Sequence, residues 1–417
     1  MIKETKDLEL KEMVSNTFLK TVSAFANYRD GEIKFGISDE GIEKGIENPD
    51  KVCLDIENRI NDSIEPKPDF SFSINRRNNV ITLFVKEGPH KPYLYKGKAY
   101  KRNDTASLPV EQIELKRLVL LGNNINFEEL QADEQKFTFK ELGKYFFEKL
   151  HIEKIDKDIL RTLGFFNKGN KYNNAAALFA DKNNFPGIDV VKFGENISNI
   201  KDRATFHKMS VLKQYTEAIL MYRKYYQREI IDSVSRRKVQ DVPEVAFREA
   251  VANALVHREW DIKAHIKVSM FEDRIEISSP GGLPYGISEE EYLRGNISTL
   301  RNPILSNVFF RLKYIEMFGT GIRRIIESYI NNYQKPTFKI SDNSILIVLP
   351  IVSDNMEMTT DEEKIYKLLE TGKQLSSSEV AIMSGYSQAK TIRLLKKLKE
   401  KKYIRILGNG RGTKYTV

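Results

Sequence analysis

The sequence of 417 residues contains a single cysteine, Cys53, and no long apolar run. One cysteine excludes both an intramolecular disulfide and a thiolate cluster for zinc, so we expect a reducing compartment. The N-terminus is charged from its third residue, unlike a signal peptide. No apolar stretch approaches the ~18 residues that a membrane-spanning helix needs. We therefore expect a cytoplasmic protein that does not take a membrane as a partner.

Neither sign of charge is scarce, but the basic residues are in excess. The net charge is +9, with 41% hydrophobic and 30% charged residues, which is typical of a folded chain. A basic excess favours a polyanionic partner, although a lysine-rich proteome produces the same excess without one. The charge is most concentrated at residues 388–402, where seven Lys or Arg residues accompany one Glu. We expect nucleic acid as the partner, with DNA favoured over RNA, and a homo-oligomer.

The pattern of apolar residues and turn signals predicts an α+β, multidomain fold. Residues 1–122 combine a helical pattern with short strand-like runs, and residues 123–240 read as a connector of mixed α/β structure. Residues 241–352 alternate helices and strands again. Residues 353–360 lack an apolar period and are expected to be a linker. Residues 361–417 read as three helices followed by a hairpin.

An acid and an amide interrupt the apolar stretch "FREAVANALVHREW", residues 247–260. Glu249, Asn253 and His257 recur at four-residue steps, so they line one stripe of a helix. A polar group against a core must be satisfied, because leaving it unpaired is costly. Hydrogen bonding within the fold is one explanation, and a ligand site is the other.

Two glycine turns follow this helix in sequence. "SSPGGLP", residues 278–284, follows a strand and allows close backbone approach. "MFGTGIRRI", residues 317–325, places Gly319 and Gly321 at the start of a helix, where free N–H groups suit a phosphate. The order of an acid–amide helix and two glycine turns favours the ligand site.

These features resemble the divergent histidine-kinase-type ATPase domain of the GHKL fold, an α/β sandwich, in the branch found beside Schlafen-type AlbA domains in bacterial regulators. The resemblance covers residues 245–340 and implies ATP and Mg²⁺ as cofactors. It implies Glu249 as the base for water attack on the γ-phosphate and Asn253 as the Mg²⁺ ligand. His257 matches the family's pattern and is expected either to contact phosphate or to be structural. The remaining implied cofactor-binding positions are Ser279, Gly281, Gly282, Gly319, Thr320 and Gly321.

The chain departs from this family at the adenine-reading position. The broader fold has an Asp before the first glycine turn, and "SSPGG" offers only a serine there, a less specific acceptor. Some relatives carry a RecG-related, helicase-like label. The sequence contains no G-x-x-x-x-G-K-[ST] loop, so it gives helicase activity no support.

Acidic and basic residues also cluster near the N-terminus. Glu4, Glu9 and Lys11 are the residue types that metal-assisted phosphodiester cleavage uses, because acids hold Mg²⁺ or Mn²⁺ and a lysine steadies the developing charge. Solvated surface is the alternative explanation, and on the residues alone it is favoured. Residues 1–122 resemble the Schlafen AlbA-type domain through "LELK", "TVSAFANYRDGEIKFGISDEG" and "KPYLYKGKAYKRNDTAS". This resemblance implies either a nuclease using Mg²⁺ or Mn²⁺, as in animal Schlafens, or a DNA-binding module. For the nuclease it implies Glu4, Glu9 and Asp39 as counterparts of the family's carboxylate trio, with Glu4 and Glu9 as metal ligands.

Tyrosines and basic residues alternate in "YLYKGKAYKRND", residues 93–104, which includes Lys101 and Arg102. Such mixing suits phosphate contact with base stacking. Tyrosine is also common in strands, so sheet formation alone explains the pattern equally well.

The C-terminal segment resembles a winged helix-turn-helix. Its third helix, from about Gln388, is expected to bury Ile392, Leu395 and Leu398 against the other helices. Five basic residues are the expected nucleic-acid contacts: Lys390, Arg393, Lys396, Lys397 and, on the hairpin, Arg411. A winged helix that docks a protein is the alternative.

Together these patterns favour an ATP-binding, nucleic-acid-binding regulator that acts on transcription, in which the nucleotide state controls the placement of the nucleic-acid modules. The alternative is a Schlafen-like, metal-dependent nuclease gated by ATP, with a role in anti-phage defence. A catalytically silent scaffold is a third hypothesis.

Overall fold

The protein is described by a computed structural model, in which the chain forms two compact units, residues 1–127 and residues 128–417. The described ranges are 2–231, 236–284, 287–295, 300–316, 319–330, 332, 334–352, 358–370, 374–401, 403–408 and 412–417. The fold class is α+β, as the sequence predicts. Among the described residues, no helix is both long and apolar enough to cross a membrane.

The first unit contains short strands and three helices among its described residues. Its strands are β1 (Leu8–Lys11), β2 (Gly31–Phe35), β3 (Ile64–Glu65), β4 (Phe70–Asn75), β5 (Val80–Val85), β6 (Leu94–Tyr95), β7 (Tyr100–Asn103) and β8 (Ala106–Pro109). Its helices are α1 (Phe18–Tyr28), α2 (Pro49–Ser63) and α3 (Gln112–Gly122). A 3-10 turn, Phe127–Glu129, spans the division between the two units in the sequence.

The main sheet of the first unit has the strand order β1-β2-β5-β4. Strands β1 and β2 are parallel because α1 connects them as a crossover, and the other neighbours pair antiparallel. Helix α1 is rich in Ala and Phe and is buried along most of its length. Asn27 lies inside this core, where its carboxamide accepts from the Tyr93 N–H and donates to the Tyr93 carbonyl. These bonds hold α1 against the strand region that follows.

The second unit begins at Glu128 and contains the remaining elements. Its helices are α4 (Lys140–Leu150), α5 (Lys157–Thr162), α6 (Asn174–Phe179), α7 (Val211–Tyr226), α8 (Glu244–His257), α9 (Glu289–Arg294), α10 (Pro303–Arg311), α11 (Gly321–Glu327), α12 (Thr360–Glu370), α13 (Ser377–Ser384) and α14 (Gln388–Glu400). Its strands are β9 (Ile188–Phe193), β10 (Ile200–Phe206), β11 (Gln227–Ile231), β12 (Arg236–Gln240), β13 (Ile266–Met270), β14 (Arg274–Pro280), β15 (Thr337–Ser341), β16 (Ser344–Pro350), β17 (Arg405–Leu407) and β18 (Lys414–Thr416).

One sheet runs through the second unit in the order β10-β9-β13-β14-β16-β15. Strand β9 lies in the segment expected to be a connector, yet it pairs in parallel with β13, from Ile266 beside Ile188 to Met270 beside Lys192. The expected boundary at 240/241 therefore does not separate two units. The connector supplies two strands of the same sheet, because β9 has an apolar face that only a neighbouring strand and helix can cover.

Helix α8 is buried between this sheet and other helices. Ala246, Phe247 and Val251 are fully buried, and the Phe247 ring stacks on Tyr222 of α7 with centroids 4.6 Å apart. An almost wholly buried helix has no solvated face, so its polar residues must contact protein or a cavity.

Helices α12, α13 and α14 and the hairpin β17–β18 form a C-terminal module, residues 358–417. Ser376 and Glu379 form the expected capping box of α13, and Gly385 ends that helix with a φ of 73°. The expected inward face of α14 is partly wrong: Leu394, Leu395 and Leu398 are buried, but Ile392 is 47% exposed. The buried face of α14 begins one residue earlier than expected, at Thr391 and not at Ile392. Residues 353–357 of the expected linker lie outside the described residues.

Candidate nucleotide site

Helix α8 and helix α11 border a cavity of about 60 Å³ in the second unit. The predicted residues Glu249, Asn253 and His257 line it from α8. The other lining residues are Val256, Pro284, Ile287, Tyr292, Gly295, Leu300, Ile315, Glu316, Gly319, Gly321 and Ile322. The polar stripe and the second glycine turn therefore meet at one cavity, although about sixty residues separate them in sequence.

Gly321 allows the two helices to approach closely. A Cβ atom at this position would lie 2.9 Å from Asn253 Nδ2 and 3.2 Å from Glu249 Oε2. Both distances are shorter than ordinary carbon contacts, so any side chain would displace the acid or the amide. Thr320 precedes the helix, and its side chain makes no capping hydrogen bond.

Glu249 is buried, with 6% of its side chain exposed, and is paired with an arginine. Arg324 Nη1 donates to Glu249 Oε1 at 2.9 Å, and Arg324 Nη2 donates to Glu316 Oε1 at 3.1 Å. Burial raises the pKa of Glu249, and the Arg324 guanidinium opposes that shift. The Glu249 carboxyl group therefore lies at the cavity wall with Arg324 as its cationic partner.

His257 and Asn253 line the cavity, and each has polar side-chain atoms without a hydrogen-bond partner among the described residues. His257 Nδ1 is buried without a hydrogen-bond partner, and burial together with the Arg301 charge lowers the pKa of His257 to about 4. The imidazole is thus neutral near pH 7. Among the described residues, none forms a hydrogen bond with the Asn253 carboxamide. Hydrogen bonding within the fold, the alternative explanation for this stripe, accounts for Glu249 only.

Arg258, next in sequence, is fully buried and is not among the residues that line the cavity. Its guanidinium lies over the Trp260 ring, 4.4 Å from the centroid, and donates to the carbonyls of Ile262 and Ala264. It fixes the loop that follows α8.

The glycines of the first glycine turn contact an arginine. Pro284 of this turn lines the cavity, whereas Ser279, Gly281 and Gly282 are not among the described lining residues. Arg301 Nη1 donates to the carbonyls of His257 at 2.6 Å and Gly282 at 3.1 Å. Gly281 has a φ of 102°, and a Cβ there would meet Glu259 at 2.8 Å and Arg301 at 3.1 Å. The Ser279 hydroxyl, expected beside adenine, donates to the Ala254 carbonyl at 3.0 Å. In this structure these residues tie the end of β14 to α8.

The sequence did not indicate four residues that contact the cavity-lining acids or the end of α8. Arg324 and Glu316 pair at the cavity, and Arg301 and Asn302 hold the C-terminal end of α8, where Asn302 Nδ2 donates to the Val256 and Arg258 carbonyls. The signal for Asn302 was its position before Pro303, a residue that favours the first turn of a helix. The arginines carried no such signal, because charged residues are common on helix surfaces.

The predicted N-terminal acids have a different environment. Glu9 is 4% exposed and accepts from Arg102 Nη1 at 2.5 Å, Lys11 Nζ at 2.8 Å and the Thr21 hydroxyl. Glu4 accepts from the Leu10 N–H at 2.9 Å. Asp39 is exposed. In the part of the chain that the structure describes, no group of three or more His, Cys, Asp or Glu side chains is arranged to hold a metal ion.

The expected nucleic-acid contacts divide into paired and exposed residues. Arg102 is not at the surface, because its side chain is 3% exposed against Glu9. Lys101 pairs with Glu114 at 2.7 Å, and Lys390 pairs with Asp361 at 2.7 Å. Arg393, Lys396 and Lys397 are exposed on α14. Arg411 lies outside the described residues.

The donor set at the cavity fits Mg²⁺ and a polyphosphate in kind. Carboxamide and carboxylate oxygens are ligands that Mg²⁺ accepts, and Mg²⁺ at nucleotide sites takes its other ligands from phosphates and water. The cavity volume is smaller than a nucleotide requires, because sites for such ligands measure roughly 300–1,000 Å³. Nucleotide binding therefore requires the lining segments to move apart from the arrangement seen here.

Two stretches of the chain match models of known families. Residues 4–111 match the family described as "Schlafen, AlbA_2". Residues 263–349 match HATPase_c_4, described as "Putative ATP-dependent DNA helicase recG C-terminal". This second match begins after α8, so it includes the glycine turns but neither Glu249 nor Asn253.

Solved structures with similarity include the DIP2311 protein from Corynebacterium diphtheriae, at 18% identity and a TM-score of 0.49, over 99% of this chain and 92% of that chain. They also include the N-terminal domain of a RecG-related protein, titled a putative ATP-dependent DNA helicase, from Nitrosomonas europaea. Its identity is 22% and its TM-score 0.21, over 27% of this chain and 84% of that chain. These similarities are too low to carry an argument, and no curated protein matches the chain. The family matches show a Schlafen AlbA_2 domain in the first unit and a recG C-terminal-like HATPase domain in the second.

Proposed function

We propose that the second unit binds ATP with Mg²⁺ and that the protein is a nucleic-acid-binding regulator acting on transcription. The observation that carries the ATP proposal is the meeting of Glu249, Asn253 and His257 with Gly319 and Gly321 around one cavity. The match of residues 263–349 to a family described as ATP-dependent supports it.

In this proposal, the Asn253 carboxamide oxygen holds Mg²⁺ and the Glu249 carboxylate orients a water beside the terminal phosphate. Bound Mg²⁺ supplies charge neutralisation and alignment of the phosphates. His257 lines the same cavity, and its buried ring nitrogen Nδ1 has no hydrogen-bond partner among the described residues. Helix α11 has only seven residues, so we assign phosphate contact to side chains and not to its dipole.

Nucleotide binding to wild type and Asn253→Ala, with and without Mg²⁺, tests the site. We expect Mg²⁺-dependent binding by wild type and a loss of roughly 10- to 100-fold in the variant. Asn307→Ala is the matched control, because Asn307 is an asparagine on α10 whose carboxamide contacts only Arg311 among the described residues. Equal affinity of wild type and Asn253→Ala removes the Asn253 assignment, and no binding by wild type removes the ATP proposal.

The C-terminal module is the proposed DNA-binding part, as a winged helix-turn-helix whose α14 enters the major groove. Arg393, Lys396 and Lys397 are exposed on that helix, and among the described residues neither Arg393 nor Lys397 has an ion-pair partner. Unpaired cations on one helix can neutralise phosphates without first breaking an internal salt bridge.

We further propose that the nucleotide state controls placement of the nucleic-acid modules. Because coupling between two binding sites is reciprocal, ATP should change DNA affinity by the same factor by which DNA changes ATP affinity. Gel shifts with DNA and RNA, with and without ATP and Mg²⁺, measure the factor by which ATP changes nucleic-acid affinity. Equal nucleic-acid affinity in all nucleotide states would exclude the coupling and leave ATP binding intact.

A further inference from the structure

Arg324 is the cation that joins two acidic residues at the nucleotide cavity. Its two terminal nitrogens contact different carboxylates, Glu249 at 2.9 Å and Glu316 at 3.1 Å. Its side chain remains 41% exposed, whereas that of Glu249 is 6% exposed. A guanidinium with free surface and two partners can exchange one partner for another without being moved out of a core.

The charged residues among the described cavity lining are both acidic, so they oppose a polyphosphate unless Arg324 turns towards it. Glu249 and Glu316 carry two negative charges in the lining, and both already use Arg324. A triphosphate placed beside them would be repelled at short range. Arginine binds phosphate oxygens in the same two-pronged geometry that it uses with carboxylates, so it is suited to exchange between them.

We propose that Arg324 recognises the terminal phosphate of ATP by leaving Glu249 and Glu316 for it. This inference rests on the proposed nucleotide site. Before ATP binds, the pairing balances the charge of Glu249 with that of Arg324. When the terminal phosphate is bound, Glu249 loses its cationic partner and becomes free to orient water. ADP lacks that phosphate and leaves the pairing in place. The exchange therefore makes the site bind ATP and ADP with different affinities.

The inference makes opposite predictions for the two members of the pair. Arg324→Met removes the phosphate ligand, so affinity for the non-hydrolysable analogue AMP-PNP should fall roughly 10- to 100-fold while ADP affinity changes little. Glu316→Gln removes a competitor for Arg324 and a repulsive charge, so AMP-PNP affinity should rise by a few-fold, on the order of one charge pair. A purely structural salt bridge would predict loss in both variants.

Isothermal titration of the full chain with AMP-PNP and with ADP, in the presence of Mg²⁺, measures both effects. Arg311→Met on α10 is the matched control for loss of an arginine. Arg311 contacts Asn307, which does not line the cavity, whereas Arg324 contacts the lining residues Glu249 and Glu316. Thermal unfolding of each variant confirms that it is folded. Selective loss in Arg324→Met with tighter binding by Glu316→Gln supports the inference.

Equal loss of AMP-PNP and ADP affinity in Arg324→Met overturns the inference, as does equal affinity of wild type for the two nucleotides. In both cases the measured binding leaves the proposed function standing. Absence of binding of either nucleotide to wild type overturns the proposed function and this inference with it.

Discussion

Two buried carboxylates, one in each unit, looked alike in sequence and have different surroundings. Glu9 in the first unit receives two cations and a hydroxyl. Glu249 in the second unit has one cationic partner, Arg324, and borders a cavity with an amide and an imidazole that lack partners in the described structure. The sequence predicts a catalytic role for each, Glu9 in a nuclease site and Glu249 in an ATPase site.

The difference shows how a structural acid can be distinguished from a candidate functional one. The Glu9 cluster joins β1, α1 and β7, and its buried members, Glu9 and Arg102, satisfy each other. A metal ion there would have to displace Arg102 from a site in which its side chain is 3% exposed. Satisfied charges stabilise a fold, whereas unsatisfied polar atoms around a cavity are available to a ligand.

The largest expected effect is on the stability of the first unit. Glu9→Ala leaves the Arg102 charge buried and unpaired, so we expect a loss of about 3–5 kcal/mol in the free energy of unfolding. Glu249→Gln should cost much less, because the Arg324 side chain is 41% exposed and can be hydrated. Far-UV circular dichroism during urea unfolding reports the helices and strands of both units, so a transition that the tryptophan signal does not share belongs to the first unit. Fluorescence of the single tryptophan, Trp260, follows the second.

A double variant sharpens this prediction. Glu9→Met combined with Arg102→Met removes both buried charges, and it should recover most of the stability lost in Glu9→Ala. If the double variant is as unstable as the sum of the two single ones, the pair is not the source of the stabilisation. A structural role for Glu9 also predicts no Mn²⁺-dependent cleavage of RNA or DNA that Glu9→Gln would abolish, and such cleavage would contradict the comparison.

The second expected effect is the acid sensitivity of the second unit. The folded-state pKa of His257 is lowered from 6.5 to about 4. Its stabilising contribution is therefore complete above pH 6.5 and is lost as the pH falls through 4. The loss amounts to about 3.5 kcal/mol, since each pKa unit corresponds to about 1.4 kcal/mol. His257→Gln lacks the titration, so the stability difference between wild type and variant should change between pH 6.5 and 4. A constant difference would show that His257 is not the responsible group.

The third effect is on the close approach of α8 and α11. Gly321→Ala should improve helix propensity, but its Cβ would lie 2.9 Å from Asn253 Nδ2. We expect the displacement to lower nucleotide affinity roughly tenfold, with a modest change in stability. Gly385→Ala is a poor control because that residue has a φ of 73°, so Gly143→Ala on α4, where a Cβ meets only Ile155 at 3.7 Å, serves instead. Unchanged affinity in Gly321→Ala would place the nucleotide elsewhere.

The smallest expected effect is on the salt dependence of DNA binding, and it compares paired basic residues of the first unit with an exposed one on α14. Lys101 and Arg102 are paired, whereas Lys397 is exposed on α14. Lys397→Gln should weaken DNA binding uniformly across sequences and reduce the slope of log K against log salt by about 1. Lys367→Gln on α12 has the same charge change and should leave the slope unaltered. Gel shifts at several salt concentrations measure both, and equal slopes for the wild type and the two variants would favour protein docking by this module.

Local patterns were enough to predict much of the molecule. The α+β class, the helix with Glu249, Asn253 and His257 on one stripe, and the capping box at Ser376 follow from residue spacing and short-range hydrogen bonds.

Tertiary structure decided which charges are satisfied and which segments share a sheet. Arg102 contacts Glu9 across 93 sequence positions, and Arg324 contacts Glu249 across 75. No local pattern therefore shows that Glu9 belongs to a structural salt bridge and that Glu249 lines a cavity. The pairing of β9 with β13 likewise depends on a long-range register. The sequence by itself determined the polar stripe on α8, because helical periodicity is set by the backbone. Only the folded chain determined the partners of that stripe, because pairing depends on distances between residues that are remote in sequence.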